Sequence, residues 1–81
     1  MRKEELWNLV QGSTYLTNGQ MYDMIPLIKN NFWQWGTYRG RIMLEIADKL
    51  NITQGFANDI YDKVNYILNN AKAAGVREIY Y

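Results

Sequence analysis

Apolar residues recur at helical spacing over most of the chain. The longest stripe extends over about four turns and comprises Phe56, Ile60, Val64, Ile67, Leu68 and Ala71. This stripe predicts a helix over 53–74, and shorter stripes predict helices over 2–10, 23–35 and 37–50. The pattern therefore predicts a mainly α fold, in which three to four helices form a compact bundle in a single small domain over residues 1–81.

Residues that begin helices lie near the ends of these stretches. Pro26 suits the first turn of the second helix, with Asp23 as its N-cap, because the first N–H groups of a helix have no intrahelical partner. Thr37 is the predicted N-cap of the third helix. For the last helix the sequence offers two N-caps, Asn51 and Thr53.

Two segments lie outside the helical pattern. Asn18 and Gly19 form a dipeptide that is typical of two-residue hairpin turns, which predicts a short β-hairpin over residues 14–22. The alternative interpretation makes Asn18 a helix N-cap or a simple loop residue. Residues 76–81 are rich in β-branched and aromatic side chains, and they favour either a C-terminal strand or an extended tail.

Composition narrows the function class. The 81 residues include no Cys and no His, which excludes disulfides, thiol catalysis, His relays and ordinary zinc sites. The carboxylates form no recognisable catalytic pair, and the Asp59 and Asp62 pair, three residues apart, could hold Mg²⁺ only with other ligands. The glycines form no phosphate-binding loop. We therefore expect a small binding protein rather than an enzyme, with no metal and no cofactor.

Charge and hydropathy limit the partners and the location. Nine Lys and Arg against eight Asp and Glu leave a net charge of +1, so no bulk field attracts nucleic acid or anionic lipid. No apolar run is long enough to span a membrane, and the first residues lack the apolar stretch of a signal peptide. These features predict a cytoplasmic protein that neither spans nor binds a membrane. Frequent Asn, Ile, Lys and Tyr are typical of an AT-rich bacterial or phage genome.

Residues 43–64 resemble the helix-turn-helix unit of DNA-binding proteins. Ala47 is the small residue that such units place in their first helix. Four residues later, Asn51 takes the turn position that is usually Gly, and Asn is the non-Gly residue that best tolerates a left-handed conformation. The apolar positions that pack the two helices together in this family are occupied by Leu50, Ile52, Ala57 and Ile60.

The resemblance implies a small DNA-binding regulatory protein of bacterial or phage type, acting on double-stranded DNA as a monomer or a homodimer. Its recognition helix would begin near Thr53 and lie in the major groove. The implied groove-facing residues are Thr53, Gln54, Asn58 and Lys63. The implied phosphate contacts are Lys29, Arg39 and Arg41, with Lys49 as a further cation. Asp59 and Asp62 depart from this pattern, because they place negative charge on the same helix.

Aromatic residues support an alternative function. Phe32, Trp33, Trp35 and Tyr38 alternate with cations over 29–41, an arrangement that suits a packed core, a protein interface or base stacking. Trp33 is the ring predicted to be exposed. Residues 79–81 could pack on the fold or dock on a partner. The alternative is a protein-binding inhibitor or adaptor, whose predicted interface residues are Trp33, Trp35, Tyr38, Tyr80 and Tyr81.

Overall fold

Four helices account for most of the chain in the computed structural model, which describes residues 1–81. They are α1 (Lys3–Ser13), α2 (Asn18–Asn30), α3 (Arg39–Leu50) and α4 (Gln54–Ala73). Residues 31–37 form a series of hydrogen-bonded turns between α2 and α3. The predicted mainly helical bundle is therefore confirmed. None of its helices combines the length and the hydropathy that a membrane-spanning helix needs.

The predicted β-hairpin over 14–22 is wrong, because α2 begins inside that segment. The Thr17 hydroxyl accepts a hydrogen bond from the Gln20 N–H at 3.1 Å, and the Gln20 side chain accepts one from the Thr17 N–H at 3.0 Å. This reciprocal capping box satisfies two N–H groups that a helix start otherwise leaves unpaired. Thr17 rather than Asn18 is therefore the N-cap, and the Asn18-Gly19 pair lies in the first helical turn.

Pro26 lies inside α2 and not in its first turn, so the predicted start at Asp23 is also wrong. An interior proline costs about 3 kcal/mol. Burial of an apolar side chain contributes about 1.5–3 kcal/mol, and α2 buries Met21, Met24, Ile25, Leu27 and Ile28. The apolar stripe on both sides of the proline thus outweighs its cost. The helix ends at Asn30, five residues before the predicted end at Trp35.

The helices α3 and α4 lie close to their predicted ranges. The N-cap of α3 is Tyr38 rather than Thr37, and its side chain makes no capping hydrogen bond. The predicted stripe of α4 is buried except for Phe56, which lies at its exposed edge. Tyr61, which lies outside that stripe, is also buried. This ring stacks on Trp35 with centroids 5.2 Å apart and so fixes the turn segment to α4.

Residues 76–81 return along the start of α1 as an extended tail, which confirms one of the two predicted alternatives and excludes the C-terminal strand. Gly75 has φ +92°, and the Val76 N–H donates to the Ala71 carbonyl at 3.0 Å, which ends α4 in a Schellman motif. The only β-type pairing beyond this turn is an isolated bridge between Arg2 and Tyr80. A single bridge pairs only one residue on each side, so it does not form a strand or a sheet.

One cluster of 20 buried apolar residues forms the core and draws on all four helices. It also includes Ile79, whose side chain is completely buried although it lies in the tail. The loop before α3 is held against this core by a hydrogen bond from the backbone of Gly36. Its N–H donates to the Tyr61 hydroxyl at 2.6 Å, and its φ of +92° is a backbone conformation that favours glycine.

Candidate functional site

The turn between α3 and α4 is formed by a residue in the left-handed conformation, which Asn51 was expected to tolerate. Asn51 adopts the left-handed conformation, with φ 53° and ψ 52°. The Ile52 N–H donates to the Ala47 carbonyl at 3.0 Å, and the Asn51 N–H donates to the Asp48 carbonyl at 3.3 Å. These two bonds form a Schellman motif that ends α3 within one residue of the predicted position. Asn51 is thus a turn residue and not the N-cap of α4.

Thr53 starts α4 as one of its two predicted N-caps. Its hydroxyl accepts a hydrogen bond from the Phe56 N–H at 3.1 Å. Ala57 and Ile60 are buried on the face that packs towards the core. The first turns of α4 therefore present to solvent the remaining side of the helix, which carries Gln54, Gly55, Asn58, Asp59 and Asp62. We call this set the α4 face.

Arg39 covers part of the α4 face. Its guanidinium donates to the Asp62 carboxylate at 2.6 Å and to the Asn58 side-chain oxygen at 2.7 Å, and it lies 4.8 Å from the centre of the Tyr61 ring. The hydrogen bond from Arg39 lowers the pKa of Asp62 below its ordinary value, and the same bond raises the pKa of Arg39. Both groups therefore remain charged at neutral pH. One predicted phosphate contact and one predicted base contact thus bind each other.

Three of the other predicted cations contact groups that lie outside the α4 face. Lys29 donates to the Ile79 carbonyl at 2.5 Å and is therefore engaged by the tail. Arg41 lies 4.9 Å from the centre of the Tyr38 ring, and Lys63 lies 5.9 Å from that of Tyr15. With the Arg39 charge matched by Asp62, the α4 face has a mixed polar character rather than a basic one.

The predicted aromatic interface is divided by the structure. Trp35 is buried, and its indole N–H donates to the Tyr61 carbonyl at 3.2 Å, so its placement in an interface is wrong. Stacking against Tyr61 of α4 holds the Trp35 ring in the core. Trp33 is 55% exposed, as predicted, and its indole N–H donates to the Arg77 carbonyl at 2.9 Å. Trp33 is therefore held in a fixed position although most of its ring meets solvent.

Three tyrosines of the predicted interface are exposed. Tyr38 lies beside Arg41, whereas Tyr80 and Tyr81 belong to the tail. The Lys3 and Lys29 ammonium groups lie 5.2 and 5.3 Å from the centre of the Tyr81 ring. Tyr38 and Trp33 thus interact with different cations, and the predicted single patch consists of separate groups.

A cleft of about 330 Å³ that was not predicted from the sequence lies between α1, α2 and the tail. Its lining residues are Lys3, Trp7, Tyr22, Ile25, Pro26 and Tyr81. Trp7 and Tyr22 form one wall, with ring centroids 5.0 Å apart in an edge-to-face arrangement. Lys3 and Trp7 lie one helical turn apart, and this spacing was enough to predict that they share one side of α1. The incorrect hairpin prediction hid the contribution of Tyr22.

No three metal-ligating side chains of this structure lie close enough together to share an ion. Polar and aromatic side chains from distant parts of the chain converge instead on the α4 face and around the tail.

Comparison of the chain with models of protein families, with curated proteins and with solved structures finds no match.

Proposed function

We propose that the protein is a small non-enzymatic DNA-binding protein that contacts double-stranded DNA through the α4 face. The observation that carries the proposal is the turn geometry, in which Asn51 is left-handed and Thr53 caps α4. This turn lets a solvent-exposed helix start directly after a packed helix, which is the arrangement that a recognition helix needs. A monomer and a homodimer are both compatible with the proposal.

The side chains of the α4 face suit base contacts at its first turns. Gln54 and Asn58 carry amides, which can donate to and accept from adenine in the major groove. Gly55 leaves open space beside them, since an added Cβ would meet no atom within 4 Å. These features would let the duplex approach the backbone of α4 closely.

Phosphate binding requires Arg39 to leave Asp62. Exposed ion pairs contribute little to stability, so the exchange of a carboxylate for a phosphate costs little. We assign three other exposed cations of α3 and α4 to contacts with the phosphate backbone of DNA: Arg41, Lys49 and Lys63. The negative charge of Asp59 and Asp62 opposes these contacts, so we expect modest affinity.

A salt titration with a fluorescein-labelled DNA duplex tests this proposal. Four phosphate contacts would lower the affinity roughly 100-fold between about 50 and 200 mM salt. Arg39→Ala should weaken binding and reduce the slope of the salt dependence by about 1, whereas Arg77→Ala should change neither. Absence of binding at about 50 mM salt would contradict the proposal. Equal loss with both variants would place DNA elsewhere on the protein.

A second candidate function is protein binding as an inhibitor or adaptor, and the exposure of Trp33 favours it. Exposed tryptophan and neighbouring arginine are the residue types that most often dominate protein interfaces. The Trp33 ring is held by Arg77 and approached by Lys72, whose ammonium lies 5.1 Å from its centre. For this function, Trp33→Ala should abolish partner binding and leave the circular dichroism spectrum unchanged. Unfolding of that variant would instead indicate a structural role for Trp33.

A further inference from the structure

Cationic and aromatic side chains from distant parts of the chain meet around residues 76–81. The group comprises Lys3, Trp7, Tyr22, Lys29, Trp33, Lys72, Arg77 and Tyr81, and we call it the tail surface. Only Trp33 and Tyr81 belonged to the predicted interface. The other members are brought to them by α1, α2, α4 and the tail itself.

Trp33 is the centre of one half of the tail surface. The Lys72 ammonium lies 5.0 Å from the centre of Phe32 and 5.1 Å from that of Trp33, and the Arg77 guanidinium lies 5.8 Å from Trp33. Burial lowers the pKa of Lys72, so part of its hydration has already been lost. A groove of about 300 Å³ runs beside these residues and is also lined by Lys29.

Tyr81 is the centre of the other half. Lys3 and Lys29 both approach its ring, and Lys29 also lines the groove beside Trp33, so the two halves are continuous. Beyond Tyr81 lies the cleft walled by Trp7 and Tyr22, which has the volume of one or two large side chains. Each half therefore offers an apolar depression next to fixed cations.

The charges of the tail surface are unbalanced. Three cations line the two depressions, Lys3, Lys29 and Arg77, whereas Glu78 is the one carboxylate in either lining. Lys72 adds a fourth cation beside Trp33. Glu4 lines a neighbouring groove together with Lys3 and Trp7. For a chain whose net charge is only +1, this is a local concentration of positive charge. Charge complementarity therefore favours an anionic partner.

The ring geometry distinguishes between anionic partners. Nucleobases bind such surfaces by stacking on free aromatic faces. Cations already lie over the rings of Trp33 and Tyr81, so a base would have to displace them. A carboxylate, in contrast, can pair with the outer side of the same cations while an apolar neighbour enters a depression. An acidic polypeptide therefore suits the tail surface better than a single-stranded nucleic acid.

We propose that the tail surface binds an acidic protein segment that also carries aromatic or large aliphatic side chains. The apolar side chains occupy the groove at Trp33 and the cleft at Trp7, and the carboxylates pair with Lys3, Lys29 and Arg77. This inference is independent of DNA binding by the α4 face. It specifies the partner chemistry of the protein-binding candidate, on which it rests.

The tail surface is already ordered for such a partner. Ile79 is completely buried, Lys29 donates to its carbonyl, and the Trp33 indole donates to the Arg77 carbonyl. Fixed side chains lose little conformational entropy on binding, so more of the contact energy appears as affinity. Trp33, with a fixed ring and three neighbouring cations, is the expected hot spot.

Selection from phage-displayed short random peptides on the intact protein tests the proposal. The enriched peptides should carry net negative charge next to aromatic or large aliphatic residues. Enrichment of basic or uncharged peptides that still require Trp33 would overturn the acidic-partner inference and leave the protein-binding candidate standing. Failure to enrich any peptide would contradict both.

Variants then locate the binding of a selected peptide by fluorescence anisotropy. Trp33→Ala should weaken it about 30-fold, as for a hot spot. Arg77→Glu and Lys3→Glu should each weaken it about 5–10-fold, with a smaller effect at high salt. Lys49→Glu is the matched control, because this exposed lysine lies in the last turn of α3, and it should have no effect.

Two results would overturn the assignment of the surface and its partner. If Lys49→Glu weakens peptide binding as much as Arg77→Glu, peptide binding depends on the net charge of the protein and not on the tail surface. If labelled single-stranded oligothymidine binds more tightly than the selected peptide and Arg77→Glu abolishes that binding, the partner is nucleic acid. Because Arg77 and Lys3 are exposed, their charge-reversal variants keep the test valid even if Trp33→Ala fails to fold.

Discussion

The α4 face and the tail surface differ in how their charges are arranged. On the α4 face, Arg39 is paired with Asp62 and hydrogen-bonded to Asn58, so the positive charge of Arg39 is largely neutralised within the protein. At the tail surface, the cations lie over neutral aromatic rings, which hold them without cancelling their charge. A nearly neutral chain can therefore contain one balanced polar surface and one positive surface.

This difference has a functional consequence for the two proposals. A DNA duplex on the α4 face must first separate Arg39 from Asp62, whereas an acidic segment meets the tail surface with its cations already in position. If both proposals hold, substitutions on one surface should leave binding at the other unchanged.

The largest effect should come from Ile79→Ala, which removes the buried anchor of the tail. A buried Ile→Ala substitution costs about 2–5 kcal/mol of the free energy of unfolding. Urea denaturation measures this loss, and exposed Tyr80→Ala is the control with little expected change. At low temperature, peptide binding should be lost while DNA binding persists. Loss of both together would show that the two surfaces are not separable.

Gly36→Ala should have the next largest effect, because the loop at Gly36 connects Trp33 to Arg39 and thus the two surfaces. A side chain at φ +92° is strained, and its Cβ would lie 3.3 Å from the Asn65 side-chain oxygen. We expect a loss of about 1–3 kcal/mol in urea denaturation. Gly12→Ala, inside α1 with open space around it, should instead gain roughly 0.5–1 kcal/mol. Equal stability of both variants would contradict the strain argument.

Thr53→Ala should cost about 0.5–2 kcal/mol through loss of the N-cap of α4. Thr17→Ala is the matched control, since Thr17 makes the same type of bond at the start of α2. Both variants should lose similar stability by thermal denaturation, but only Thr53→Ala should weaken DNA binding. Equal weakening of DNA binding by both would indicate a general effect of destabilisation.

Substitutions in the Arg39 pair should change binding without measurably changing stability, because both side chains are exposed. Arg39→Ala should weaken duplex binding, whereas Asp62→Asn should strengthen it by freeing Arg39 and removing a negative charge. Anisotropy titrations at low salt compare the two variants. Neither should alter peptide binding at the tail surface. A decrease in DNA affinity for Asp62→Asn would contradict the proposed role of Arg39.

The smallest effect is the titration of Asp62 itself. Its pKa lies below the ordinary value of 3.8 because Arg39 donates a hydrogen bond to it. Its contribution to stability is therefore present above that value and is lost as the pH falls through the lower pKa of the folded state. NMR titration of the carboxyl carbon should show the pKa returning towards 3.8 in Arg39→Ala. An unchanged pKa would mean that the pair does not persist in solution.

The local sequence predicted those parts of the fold that depend on contacts between residues close together in the chain. The helical periodicity predicted α4 and its buried stripe, and Asn51 and Thr53 were placed in the turn because of their backbone and capping preferences. The same reasoning failed at 14–22. There, Asn18-Gly19 favours a hairpin, but the reciprocal capping of Thr17 and Gln20 and the apolar stripe beyond them stabilise a helix. A local turn preference was outweighed by burial.

The candidate sites were less predictable, because they join residues that are far apart in the chain. Arg39 meets Asp62 after 23 residues, and Trp33 meets Arg77 after 44. Periodicity indicates which side of a helix faces the core, but it does not indicate which neighbour covers a given cation. The spacing predicted that Trp33 lies off the buried stripe, yet the ring's cationic surroundings come from α4 and the tail.

Residue order was enough to predict the mainly helical class, the end of α4 and the left-handed turn at Asn51, because these follow from contacts within a few residues. Long-range packing, in contrast, was needed to bring Lys29 to the tail and Arg39 to Asp62. The physical reason is that a charge or a ring acquires its role from whatever the packed helices bring beside it. Packing thus turned scattered cations into one positive surface and one balanced surface.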